Sequence, residues 1–154
     1  FFRGEKILMK SKRMVIFVFI IVSIILVFMM IMQNVSLNNE IQMYESFWNI
    51  KLPSKTKCVY KWNNQDSFHG EGIRYSRYQL LENDTSLLTD CDYTQNNELE
   101  KSVINLMNDC SIPDKQKIDF NSTYCWKYIQ REQDSLLIIY SLNIKSLFLI
   151  QDTA

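Results

Sequence analysis

The residues best suited to acid–base chemistry lie together in one short segment, DSFHGEGIRY, from Asp66 to Tyr75. His69, the only histidine of the chain, is separated from Glu71 by one glycine. Histidine titrates near neutral pH and a neighbouring carboxylate tunes it, so this pair is a candidate general acid–base of a hydrolase. Such a site also needs a nucleophile, for which Ser67 is nearest, but no GxSxG, SxxK, HExxH or glycine-rich phosphate-binding motif occurs in the chain.

The same segment has a structural interpretation, which its glycines favour. Gly70 and Gly72 are two of only three glycines in the protein. Glycine adopts positive φ without strain, so both residues are typical of a turn or bulge where a strand begins. The sequence therefore predicts a turn in the first place and a catalytic site only as an alternative.

The strand expected after this turn carries alternating tyrosine and arginine residues. Residues two apart on a strand share a face, so Arg74 and Tyr78 lie on one face and Tyr75 lies on the other with Arg77. One face must belong to the core, and the other would present a tyrosine and arginine surface of the kind enriched at interfaces, or an ordinary solvated face. The candidate binding residues are His69, Gly70, Glu71, Gly72, Arg74 and Tyr78.

Four cysteines follow the long apolar segment described below: Cys58, Cys91, Cys110 and Cys125. In an oxidising compartment they permit three disulfide pairings, of which we favour Cys91 with Cys110 and Cys58 with Cys125. The alternative is that some or all are free and buried. None belongs to a CxxC pair and His69 is distant in sequence, so we expect no metal and no cofactor.

One segment is long and apolar enough to cross a membrane. Residues 15–32 contain no charge, and Ser23 is their only polar side chain. A helix of this length reaches about 27 Å, close to the hydrocarbon thickness of a bilayer. A core helix would have a polar face and a signal peptide would have a small-residue cleavage site, and this segment has neither. We therefore predict an uncleaved transmembrane anchor over residues 14–32.

The charges beside this segment predict its orientation. Four basic residues, Lys6, Lys10, Lys12 and Arg13, precede the anchor with only Glu5 to oppose them, whereas the residues just after it carry Glu40 and Glu45 and no base. By the positive-inside rule the N-terminus is cytoplasmic and the rest is extracytoplasmic. The whole chain has 17 basic and 17 acidic residues, of which five and one precede residue 33. The resulting negative charge after the anchor gives no support for nucleic-acid binding.

The first residues predict a start site inside the chain. Arg3-Gly4-Glu5 can be encoded by a purine-rich ribosome-binding sequence a few codons before Met9. We expect translation in a bacterium to start at Met9, so that residues 1–8 are a leader and 1–13 precede the anchor. N-terminal sequencing that finds Phe1 would contradict this expectation.

The rest of the chain predicts an α+β domain over residues 53–154, preceded by a juxtamembrane helix or stalk within 33–52. Leu37, Ile41, Tyr44 and Trp48 form one helical stripe, which packs on the domain or binds a partner. Strand-like runs occupy 57–62, 73–81, 124–131, 135–140 and 146–151, and an amphipathic helix starts at Asn97 as its N-cap. Short connections predict a mainly antiparallel sheet covered by this one helix.

Several of these residues also suggest a family. The segments Leu52-Pro53, Val59-Tyr60, Ser67 to Gly72, Arg74-Tyr75, Asp134 to Tyr140 and Leu147 to Gln151 resemble small membrane-anchored or lipoprotein-like proteins of low-GC Gram-positive bacteria. The resemblance covers most of residues 45–152, and its most specific part is Phe-His-Gly-Glu-Gly. That group has no assigned activity, so the resemblance implies a bacterial, extracytoplasmic protein and identifies no catalytic residue.

The sequence therefore favours a single-pass protein, integral to the membrane, whose outer domain binds a protein or cell-envelope partner without catalysis. One alternative is an immunity protein against an envelope-acting toxin. The other is a membrane-tethered hydrolase that uses His69 and Glu71.

Overall fold

The computed structural model describes residues 17–30, 40–53, 55–64, 71–81 and 90–154. The chain divides into two compact units, Phe1–Gln42 and Met43–Ala154. The leader, the predicted start at Met9, residues 33–39 and the pair His69-Gly70 lie outside the described residues.

In the first unit, residues 17–30 are helical and every one of them is exposed. The thirteen large apolar side chains of this helix have exposed fractions between 41% and 69%. Its one hydroxyl group, on Ser23, donates a hydrogen bond of 2.9 Å to the carbonyl oxygen of Phe19. None of the helices in the described ranges is both long and apolar enough to span a bilayer. The anchor over residues 14–32 thus stays a prediction.

Residues 40–48 form a second helical segment, within the predicted juxtamembrane region. Leu37 of the predicted stripe lies outside the described residues, whereas Ile41, Tyr44 and Trp48 are buried. The segment ends at Asn49, which has a φ of 51°, and the carboxylate of Glu45 accepts a 2.8 Å hydrogen bond from the amide of Leu52. Because Tyr44 and Trp48 are buried in the second unit, this unit begins before the predicted boundary at residue 53.

The second unit contains a five-stranded antiparallel sheet, as predicted. Its strands are β1 (Thr56–Asn63), β2 (Gly72–Leu80), β3 (Tyr124–Arg131), β4 (Asp134–Ser141) and β5 (Ser146–Thr153). Their spatial order is β1-β2-β5-β4-β3, so the last strand of the chain lies at the centre. The residues from Ser146 to Gln151 are all buried, which explains the nearly continuous apolar run of β5.

One face of the sheet packs against the helix Asn97–Asp109, which we call the covering helix. Its residues Val103 and Met107 join Tyr75, Ile139 and Phe148 in one buried cluster. The Tyr75 hydroxyl donates a 2.7 Å hydrogen bond to the carbonyl oxygen of Gln116, in the short 3-10 helix Asp114–Gln116. The predicted α+β class is therefore confirmed, and a helix covers one face of the sheet at the predicted place in the chain.

The covering helix begins one residue earlier than the capping pattern suggested. Asn96, not Asn97, is the N-cap, and its side-chain oxygen accepts a 3.0 Å hydrogen bond from the amide of Leu99. Tyr124 ties this end to the sheet, since its hydroxyl donates to the Glu100 carboxylate at 2.6 Å and accepts from the Asn96 amide at 3.4 Å. The position of the cap was ambiguous in sequence because two asparagines are adjacent and either can accept from the first turn.

Strand β1 changes the face that it presents halfway along its length. Its pairing with β2 shifts between Cys58 and Tyr60, which marks a bulge. Before the bulge Cys58 lies opposite Tyr78, and after it Tyr60 and Trp62 pack against the cluster beneath the covering helix. Cys58 therefore lies on the face of the sheet away from the covering helix.

Candidate functional site

The described part of the His-Gly-Glu-Gly segment forms the start of β2. Gly72 has a φ of +126°, and a Cβ atom there would lie 2.6 Å from the Oδ1 atom of Asn64. That oxygen accepts a 2.7 Å hydrogen bond from the amide of Ile73, which holds the end of β1 against the start of β2. At Gly72 the glycine is thus required by backbone conformation and close approach, as the turn interpretation predicted. His69 lies outside the described residues, so its predicted pairing with Glu71 stays a prediction.

We predicted that one face of β2 could present tyrosine and arginine side chains at the surface. This prediction is wrong for Tyr78, which is buried. Tyr75 and Tyr78 point to opposite faces, but both are buried, with exposed fractions of 0% and 1%. Both faces of this strand are therefore core, because β2 is an interior strand of a sheet that is covered on both sides. Arg74 and Glu71 do make interactions within the protein, and the binding role predicted for them stays a prediction.

Arg77, the other arginine of β2, makes its contacts within the domain. One guanidinium nitrogen donates a 2.7 Å hydrogen bond to the carbonyl oxygen of Lys115, and the guanidinium lies 5.5 Å from the centre of the Phe148 ring. These contacts fasten the 3-10 helix to the sheet. Arg77 therefore has a structural role.

Both favoured disulfide pairings are wrong in this structure. Cys58 lies on β1 and Cys125 on β3, at opposite edges of the sheet. Four strand spacings separate those edges, roughly 19 Å, whereas disulfide-linked Cα atoms lie within about 7 Å. Cys110 belongs to the cluster beneath the covering helix, and Cys91 lies on the opposite face, beside Ile138 and Lys127. All four cysteines lie in the described ranges, and none of them forms a disulfide bond.

The structure instead brings Cys91 next to Cys125, through a short additional pairing at the edge of the sheet. Asp92 and Trp126 exchange two backbone hydrogen bonds of 2.8 and 2.9 Å. Side chains alternate about such a bridge, so Cys91 and Tyr93 share a face with Cys125 and Lys127. The antiparallel register places Cys91 opposite Lys127 and Tyr93 opposite Cys125, so the two cysteines are diagonal neighbours across the bridge. We call Cys91, Tyr93, Cys125, Lys127 and Tyr140 the cysteine cluster; Tyr140 lies directly opposite Cys125 on β4.

Hydrogen bonds within the short segment that carries Cys91, and from β3 to this segment, hold it in place. The carboxylate of Asp92 accepts hydrogen bonds from the amide and the hydroxyl group of Thr94, at 2.8 and 2.7 Å. These two bonds hold the pKa of Asp92 below its usual value. On the other strand, the indole nitrogen of Trp126 donates a 3.0 Å hydrogen bond to the carbonyl oxygen of Thr94. Cys91 is therefore held at a defined position although it lies in a polar connection.

The two thiols of the cluster have opposite electrostatic environments. A hydrogen bond from the Cys125 thiol is the main reason that the pKa of Cys91 is lowered; burial opposes this effect, and of the two nearby charges Lys127 lowers the pKa whereas Asp90 raises it. The same hydrogen bond, together with burial, raises the pKa of Cys125. Cys125 has no exposed surface, whereas Cys91 is partly exposed. Cys91 is thus the thiol that ionises first.

A small cleft opens beside Cys91. Its volume is about 130 Å³, and its lining residues are Asn49, Ile50, Lys51, Asp90, Cys91, Lys127 and Ile138. The ammonium group of Lys127 forms an ion pair of 3.4 Å with the Asp90 carboxylate. Pockets for small molecules usually measure at least about 300 Å³. This cleft therefore gives water and a thiol-sized group access to Cys91 and does not match a pocket for a larger organic substrate.

Across the described ranges, no group of three or more histidine, cysteine or carboxylate residues is arranged to bind a metal ion. No protein-family model matches the chain, and neither curated proteins nor solved structures show a significant similarity to it. The resemblance to small membrane-anchored proteins of Gram-positive bacteria accordingly stays a prediction.

The sequence alone does not predict the cysteine cluster, because its two halves are 34 positions apart and one half has the polar composition of a loop. Residues 90–97 are mostly polar, and the bridge formed by Asp92 is too short for an alternating pattern to stand out. The available signal was the spacing of two within each half: Cys91 and Tyr93, and Cys125 and Lys127. Each pair predicts one shared face, but only the strand order shows that the two faces coincide.

Proposed function

We propose that the protein is a single-pass membrane protein whose α+β domain lies outside the membrane and binds a protein or a cell-envelope component. The observation that carries this proposal is the helix over residues 17–30, in which thirteen large apolar side chains are exposed on all sides. A helix that is apolar all round is stable only in an apolar environment such as lipid.

The hydrogen bond within this helix supports the same proposal. In hydrocarbon every polar group must find a partner inside the protein. The Ser23 hydroxyl group does so through the carbonyl oxygen of Phe19. The helical residues also form the central part of the uncharged run 15–32, which the charge distribution orients with the N-terminus in the cytoplasm.

Fractionation of cells that express the full chain tests the anchor. We expect the protein in membranes after a carbonate wash, and we expect external protease to digest the domain in intact protoplasts. Replacing both Ile21 and Ile25 with lysine should release the protein, because each charge at the centre of a spanning helix costs about 2.5–3.5 kcal/mol. The matched double replacement with leucine should keep the membrane location. Recovery of the unmodified protein in the soluble fraction, or protection of the domain, would overturn the proposal.

Binding rather than catalysis is supported by the interior of the domain. The core beneath the covering helix is a cluster of buried hydrophobic side chains, and the cleft beside Cys91 is smaller than an ordinary substrate pocket. Crosslinking in intact cells that express the anchored protein tests this part, with the release variant as the control. We expect one extracytoplasmic partner whose capture depends on the anchor, and we expect no hydrolytic activity that the His69→Ala and Glu71→Gln variants change. A hydrolytic activity that both variants abolish would favour the enzyme instead.

A further inference from the structure

Cys91 and Cys125 differ in their accessibility to a reagent and in how readily they form the thiolate. These two properties decide which cysteine attacks first in a thiol–disulfide exchange. Cys91 lines a cleft that admits a small reagent, whereas Cys125 is fully buried and is not among the residues that line the cleft. The thiolate is the reactive form of cysteine, and a nearby ammonium group favours that form. Lys127 supplies such a group on the same face of the sheet, two residues from Cys125. The first attack therefore belongs to Cys91 and the second to Cys125.

We propose that Cys91 and Cys125 form an oxidisable dithiol that closes into a disulfide by exchange with a small disulfide compound. The Cys91 thiolate attacks one sulfur of the compound, forms a mixed disulfide and expels the first thiolate. Cys125 then loses its proton and attacks the Cys91 sulfur, which expels the second thiolate. The protein loses two electrons and two protons, and the compound becomes two thiols. This inference does not depend on the proposed binding function.

The positions of the other two cysteines prevent them from forming a disulfide with Cys91 or Cys125. Cys58 lies on β1, at the edge of the sheet far from β3, and its thiol donates to the carbonyl oxygen of Tyr60 at 3.9 Å. Cys110 lies on the other face, where burial raises the pKa of its thiol. Neither can reach Cys91 or Cys125 without rearrangement of the sheet.

Peptide mapping tests the pair directly, because trypsin places each cysteine in a different peptide. Cys58 falls in residues 58–61, Cys91 in 78–101, Cys110 in 102–115 and Cys125 in 118–127. The reduced full chain, purified in mild detergent, is incubated with oxidised glutathione, alkylated and digested without reduction. We expect the linked species of peptides 78–101 and 118–127, with peptides 58–61 and 102–115 alkylated.

Single serine variants separate the two steps. Cys125→Ser should accumulate glutathione on Cys91, because the second thiol is missing. Cys91→Ser should leave Cys125 unmodified, because oxidant cannot reach it, and circular dichroism should show that both variants are folded. The Cys58→Ser and Cys110→Ser variants should still form the linked species. A different dominant linkage, four alkylated cysteines, or glutathione that persists on Cys91 of the unmodified protein would overturn the proposal.

Discussion

The residue Cys125 acts on its neighbour through the hydrogen that its thiol donates. That hydrogen bond stabilises the Cys91 thiolate and so lowers the pKa of Cys91. In the Cys125→Ala variant the donor is absent, and we expect the pKa of Cys91 to rise. The pH at which iodoacetamide alkylates Cys91 at half its maximal rate should move upwards. At neutral pH the rate should fall about three- to tenfold, since one pKa unit changes the thiolate fraction about tenfold.

The alkylation of Cys91 is measured in its own tryptic peptide, 78–101. The Cys110→Ala variant is the matched control, because Cys110 is a buried thiol on the opposite face of the sheet. Its pH profile should match that of the unmodified protein. An unshifted profile in Cys125→Ala would show that the hydrogen bond does not control the reactivity of Cys91.

Single residues differ in how much of their role can be predicted from sequence. Gly72 has the positive φ predicted for the start of the second strand, because glycine adopts positive φ without strain in any fold. Tyr78 was expected at a surface and is buried, because burial of β2 depends on what lies against both of its faces. The cysteine pairing depends on strand order, which no single residue encodes.

At the scale of elements, local patterns predicted all five strands and the covering helix within one or two residues. Hydrophobic periodicity is a property of neighbouring residues, so it is visible in the sequence. The insertion of β5 between β2 and β4 is not a local property, and it places β1 and β3 at opposite edges. That order alone excludes a disulfide between Cys58 and Cys125.

Two adjacent asparagines lie at the start of the covering helix, and we expect their replacement by alanine to change the stability of the domain differently. Asn96 caps the helix through the amide of Leu99, whereas Asn97 is its first helical residue. We expect Asn96→Ala to lower the free energy of unfolding by about 1 kcal/mol, because an amide of the first turn loses its acceptor. Asn97→Ala should be neutral or slightly stabilising, since alanine has the higher helix propensity.

Urea denaturation of the two alanine variants, followed by tryptophan fluorescence, measures this difference. The two substitutions remove the same atoms one position apart, so each is the control for the other. Greater destabilisation by Asn97→Ala would place the cap at residue 97, as the sequence pattern first suggested.

At the scale of the whole molecule, the chain combines two kinds of structure with different requirements. The helix over residues 17–30 exposes its apolar side chains, whereas the domain that begins at Met43 buries apolar side chains on both faces of its sheet. The composition of each segment favours such a division, because an uncharged run and an alternating pattern have different stable environments. The limits of the domain were less predictable, since they depend on the burial of Tyr44 and Trp48.

Oxidation of the cysteine pair should stabilise the whole domain. A bond between Cys91 and Cys125 closes a loop that contains the complete covering helix, from Asn97 to Asp109. The closed loop of about 35 residues restricts the conformations of the unfolded chain. We therefore expect the free energy of unfolding to rise by about 3–4 kcal/mol. Strain in the native state reduces this gain if the backbone must move to bring the two sulfurs into bonding distance.

The gain is measured by urea denaturation of the full chain after treatment with oxidised or reduced glutathione, in a sample whose linkage has been verified by peptide mapping. The oxidised protein should unfold at a higher urea concentration. The Cys91→Ser variant should show no shift between the two treatments, whereas Cys58→Ser should show the full shift. A verified bond without any shift in the midpoint would mean that strain in the native state offsets the restriction of the unfolded chain. The segment that contains Cys91 would then have to move in order to reach Cys125.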